Sequence, residues 1–97
     1  MLQDLTADSF SQHLGTRFRV HVDEERSMDV ELYDVVLHEK HAGPRAQPFS
    51  VHFRGHRQSY LPQSIYRVEH EQMGTMEVFL VPIGPDDKGM RYEAVFN

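Results

Sequence analysis

The chain of 97 residues carries a formal net charge of −5, with 39% hydrophobic and 26% charged side chains, seven histidines and no cysteine. A chain of that length makes one domain and has no room for a second, catalytic one, and its composition belongs to a globular protein rather than a disordered one. Disulfide and thiolate chemistry are excluded, and the acidic balance weighs against nucleic acid as a partner.

The opening Met1-Leu2-Gln3-Asp4-Leu5 lacks the basic and apolar regions of a signal peptide. No apolar run approaches the roughly 18 residues of a membrane span, so a cytoplasmic location without a membrane partner is expected. From Thr6 to Gly15 the chain reads as a helix: Thr6 supplies an N-cap, Asp8 suits the positive first turn, and Gly15 is a left-handed stop. Leu5 and Phe10 have the spacing of a hydrophobic staple, and Phe10 and Leu14 share a face, which predicts two to three turns lying against a sheet.

At Thr16 the period becomes alternating. Phe18, Val20 and Val22 point one way and Arg17, Arg19 and His21 the other, as in a half-buried strand. After the polar turn Asp23–Ser27, a strand over Met28–His38 alternates through Val30 and Leu32, slips phase at Asp34 and resumes with Val35-Val36-Leu37. Such a slip is the mark of a β-bulge or a barrel corner. Glu39–Pro48 is the longest loop and the one expected to move most. Phe49, Val51 and Phe53 form the next strand, with Ser50, His52 and Arg54 outward, and Gly55–Pro62 is a loop. Ser64–Glu71 and Thr75–Ile83 form a hairpin about Gln72-Met73-Gly74. The apolar run Val78–Val81 predicts a strand covered on both faces, and Pro82 a lapse of pairing on one side. The turn Gly84–Gly89 leads to a closing strand, Met90–Asn97, expected to be stitched into the sheet. The fold class is mainly β: one short N-terminal helix packed on a six-stranded, largely antiparallel bent sheet or small barrel, in a single domain over 1–97.

Candidate chemistry is sparse. The histidine pairs His38/His41 and His52/His56 lack the third and fourth converging donors of a zinc site, and the histidines read as solvated surface imidazoles. The carboxylates of Asp23-Glu24-Glu25 and Asp86-Asp87 lie in turns, where ordinary pKa values do not suit general acids, and Glu69 and Glu77 face each other across a hairpin with Arg67 to compensate them. No nucleophile elbow and no phosphate-cradling glycine pattern occurs. No catalytic residue, cofactor or metal is therefore expected. Arg17, Arg19, His21, His52, Arg54, Arg57 and Tyr60 form the candidate interaction surface, a basic and aromatic set of the kind small barrels use for single strands if the first and third strands lie close. Asp29, Glu31 and Asp34 on the intervening strand explain the same pattern by cross-strand ion pairing. Tyr33, Tyr60, Tyr66 and Phe96 are the aromatics expected to be partly exposed as protein-contact anchors.

Leu5-Thr6, Phe10, Leu14-Gly15-Thr16, Pro48-Phe49-Ser50, Phe53-Arg54-Gly55, Leu61-Pro62-Gln63, Tyr66–His70, Phe79–Pro85 and the closing Gly89–Asn97 resemble a family of short bacterial proteins of unknown function. The resemblance spans nearly the whole chain and implies an accessory or structural role beside phage-tail-collar-like proteins, with no catalytic residues. The expected function is a non-enzymatic protein-interaction module that engages another protein through a sheet face or an exposed edge strand, with homo-oligomers open to an unpaired edge. The alternatives are a small-barrel oligonucleotide-binding protein and a small-molecule or metal-binding domain.

Overall fold

A computed structural model describes residues 5–39 and 47–96. It contains one helix, α1 (Ala7–Ser11), and six strands: β1 (Arg17–His21), β2 (Ser27–Leu37), β3 (Phe49–Gly55), β4 (Ser64–His70), β5 (Gly74–Pro85) and β6 (Met90–Phe96). The tip of the 39–48 loop, with His41, and the final residue Asn97 lie outside the described residues.

The strands close into a barrel in the order β1-β2-β3-β6-β5-β4, every neighbouring pair antiparallel. Short polar turns at β1–β2, β4–β5 and β5–β6, and the long 38–48 connection between β2 and β3, make two three-stranded meanders, β1–β2–β3 and β4–β5–β6. These meet at two seams, β3 against β6 and β4 against β1, the second through Arg19↔Glu69, Val20↔Val68 and His21↔Arg67. Closure requires strong local bending, and β2 supplies it. Its register against β3 shifts between Leu32↔Phe53 and Asp34↔His52, so Tyr33 is the extra residue of a bulge at the phase slip read in the sequence. β5 shifts against β6 between Pro82 and Gly84, where proline has no N–H to donate and Gly84 adopts φ 97°.

Alternation fills the interior with Phe18, Val20, Val30, Leu32, Val51, Phe53, Val68, Leu80 and Tyr92, all nearly inaccessible. Helix α1 plugs one mouth. Thr6 accepts from the Ser9 backbone N–H at 3.1 Å while the Ser9 hydroxyl accepts from the Thr6 N–H at 3.3 Å, a reciprocal cap that places Phe10 over the opening. Phe10 is wholly buried, with ring centroids 6.3, 6.0 and 5.5 Å from Phe18, Phe49 and Phe96. The helix is shorter than its sequence predicts. The His13 and Leu14 N–H groups bond three residues back, tightening the chain into a turn, and Gly15 at φ 81° redirects it toward β1. Leu14 therefore leaves the face of Phe10 and is exposed. The β3–β4 connection spans the other mouth. Leu61 is buried there, its N–H donating to the Tyr92 hydroxyl at 3.0 Å, and that hydroxyl donates to the Ser59 carbonyl at 3.2 Å.

Two expectations about facing need correction. Ser50 stands among the outward positions of β3 yet is fully buried, because His38 covers it. Phe79, read as part of a strand covered on both faces, is 49% exposed, because among the described residues no layer overlays the outside of β5.

Candidate interaction surface

The structure separates the sequence-derived basic set. β2 lies between β1 and β3, so Glu31 stands in register between Arg17 and Arg54. Arg17 and Arg19 each lie 3.8 Å from the Asp29 carboxylate. His21 donates to Glu69 at 2.9 Å, and this hydrogen bond is the main reason the Glu69 carboxyl is held below its usual range. His52 donates to Glu93 at 3.0 Å. A shallow depression of about 890 Å³ over this face is lined by residues of both signs, among them Arg17, Arg19, Asp29, Glu31, Arg54 and Glu69.

Arg54 is the most constrained of the set. The bulge at Tyr33 lays that ring over the guanidinium, 4.0 Å from its centroid, while Arg54 donates to Asp86 at 2.7 and 3.1 Å. Asp86 also accepts the Lys88 and Gly89 N–H groups, each at 2.9 Å, and Arg57 donates to the Asp86 carbonyl at 2.6 Å. The Arg54 hydrogen bond, helped by those two backbone donors, holds the Asp86 carboxyl far below the ordinary carboxylate range. A side chain at Gly89 would run into the Gly55 carbonyl, so the β5–β6 turn seats directly on the end of β3. Of the seven residues only Tyr60 stands clear as an exposed large apolar group. Tyr66 and Phe96, expected at the surface, are buried. Tyr66 donates to the Pro62 carbonyl at 2.6 Å, and Phe96 stacks on Phe49 at 4.8 Å.

The histidines are not uniformly solvated imidazoles. His70 is buried, and His38 pairs with the Ser50 hydroxyl at 2.5 Å. That imidazole–hydroxyl contact has the partners of a nucleophilic dyad, but a nucleophile must reach its electrophile and Ser50 has no accessible surface. Among the described residues there is no group of three or more His, Asp or Glu side chains able to hold a metal ion. Glu77 faces Arg67 across the β4–β5 hairpin, while Glu69 faces Thr75, so the two glutamates do not oppose each other.

Leu37 at the end of β2 is exposed, but most of the exposed large apolar strand residues lie on the other meander. Ile65 of β4 and Phe79 of β5 are direct cross-strand partners and are 65% and 49% exposed. The β5–β6 pairing reaches Val81↔Glu93, and two residues beyond it on each strand stand Phe79 and Val95, the latter also about half exposed. Ile83, the extra residue at the β5 register shift, extends the apolar stretch along β5. Residue-by-residue reading misses this surface because a sheet core and a bare outer face both call for apolar side chains. The available signal was Val78–Val81, too continuous for a strand with only one covered face.

The chain matches no curated protein and no solved structure. No helix among the described residues is long and apolar enough to cross a membrane. Residues 5–96, which include α1 and all six strands, match the model of DUF6916, a domain of unknown function, and the chain belongs to that family.

Proposed function

We propose that this domain is a non-enzymatic protein-interaction module whose docking surface is the outer face of β4–β5–β6. The observation that carries the reading is the cross-strand pair Ile65–Phe79 with Ile83 and Val95 beside it, large apolar groups left bare on one side of a small barrel. A bare patch of this kind is of order 300–400 Å², within the range of the largest apolar patch on a typical monomer, which is often a functional surface. Covering it yields roughly 8–10 kcal/mol at 25 cal/mol per Å², comparable to the cost of association, so a polar rim must contribute to stable binding. Arg67 and Glu77, the next outward residues of β4 and β5, are placed to form that rim. Every strand of the closed barrel has a neighbour on each side, so the contact is by side-chain packing and the edge-strand pairing expected from sequence is set aside. The resemblance to proteins associated with phage-tail-collar-like genes supports one setting, an accessory factor for such an assembly.

The test is affinity capture from the native host at low and moderate salt, with nuclease-treated controls, using the wild type and a Phe79→Ser/Ile65→Thr variant. One or two proteins recovered at fixed stoichiometry, insensitive to nuclease and lost with the variant, are expected. Nuclease-sensitive, salt-labile material, or equal capture by the variant, would overturn the reading.

A further inference from the structure

His70 closes β4 and sits beside the plugged mouth of the barrel. Its Nδ1 accepts two backbone hydrogen bonds from the β4–β5 turn, from Gln72 N–H at 3.0 Å and Met73 N–H at 3.2 Å. An imidazole nitrogen that accepts carries no proton, so the neutral ring holds its proton on Nε2. Nε2–H then donates to the Thr16 hydroxyl at 3.0 Å, and that hydroxyl donates to the His13 carbonyl at 2.6 Å. One buried ring thus joins the β4–β5 turn to the connection between α1 and β1. Its ring neighbours are Phe18, with centroids 4.3 Å apart, and His13, 4.5 Å apart.

We propose that His70 is a pH-operated latch on the β4–β5 turn: proton uptake at Nδ1 replaces the acceptor of the Gln72 and Met73 amides with a donor and releases that turn while the ring stays tied to Thr16. After protonation three N–H groups converge where no acceptor remains, and two backbone donors must turn to water. Met73, packed against the core, is carried outward with them. The two charged groups that act on the ring oppose each other. His13, from the α1–β1 connection, disfavours a charged His70, and Glu71, from the turn itself, favours it. The other element against the ring presents Phe18, an apolar side chain that offers a cation no compensation of charge. Burial acts first and His13 second to hold the imidazole below its usual value, so the latch is shut at neutral pH and opens in acid.

The experiment is amide hydrogen exchange by NMR on the intact chain from pH 7.5 to 5, read as protection factors, together with the ¹⁵N shifts of the histidine rings. At pH 7.5 His70 is expected as the Nε2–H tautomer. Protection at Gln72 and Met73 is expected to fall about tenfold or more as His70 titrates, while amides in β3 keep theirs. In His70→Asn the side-chain oxygen replaces Nδ1 as acceptor and cannot charge, so turn protection becomes independent of pH. His13→Asn moves the His70 titration to higher pH. A proton on Nδ1 at neutral pH, or turn protection in the wild type that ignores the titration, would overturn the proposal without any variant having to fold.

Discussion

The two meanders are built alike inside and differ outside. Both send alternate apolar residues inward, Phe18, Val20 and Val30 from one and Val68, Val78 and Leu80 from the other. On the outer face of β1–β2–β3 charges of opposite sign stand in register, Arg17 opposite Glu31 and Arg19 opposite Asp29, and β2 continues the pattern with Glu31 opposite Arg54. On β4–β5–β6 the outward positions include Ile65, Phe79, Ile83 and Val95. A charged group on a sheet finds its complement one strand away, about 5 Å distant, and needs nothing from outside. An apolar group is removed from water only by a covering layer, which the outside of a closed barrel does not have. The first face can satisfy itself; the second is the one that the proposed function gives to a partner.

The seam between the meanders gives the largest expected effect. Gly89→Ala drives a methyl into the Gly55 carbonyl and should lower stability by about 2–3 kcal/mol, read as a fall in the urea midpoint. An unchanged midpoint would show that the turn can leave the end of β3 and that the seam does not depend on it. Next comes acid. The native Asp86 carboxyl lies below its unfolded value, so the folded state binds fewer protons than the unfolded one. This contribution is complete above the unfolded value of about 3.9 and is lost as pH falls below it. The urea midpoint should therefore drop from pH 6 to pH 3, and drop less in Asp86→Asn and in Arg54→Met.

The remaining two substitutions set the faces against each other directly. Phe79→Ser should change stability by less than about 1 kcal/mol, the range of strand preference at an exposed site, while removing partner capture. Arg19→Ala should cost no more than about 0.5 kcal/mol, because Arg19 and Asp29 form an exposed pair, and should leave capture intact. Capture lost with Arg19→Ala and kept with Phe79→Ser would reverse the assignment of the two faces.

Local chemistry was legible where one physical rule governed it. Thr6 reads as a cap because its hydroxyl serves an N–H three residues on, and the phase slip at Asp34 reads as a bulge because alternation cannot change face without an extra residue. Leu14 was misassigned because helical spacing assumes that the helix continues, while tighter turn bonds ended it. His70 and Ser50 escaped notice because a histidine and a serine are equally at home in water, and only neighbours brought from elsewhere in the chain, Thr16 and His38, take them out of it.

Read along the chain, the residues give most of the apolar interior: which of them alternate, where the turns fall, and that a helix precedes a run of antiparallel strands. These follow from side-chain spacing and turn chemistry, which are properties of neighbours along the chain. The outside, and the buried polar groups Ser50 and His70, follow from how the strands are brought together. Strand order and register placed Arg67 against Glu77, set β2 between the two basic strands and left Ile65 and Phe79 side by side. Whether a charge is matched or an apolar group covered depends on what lies one strand away, and closure of the barrel sets that neighbour.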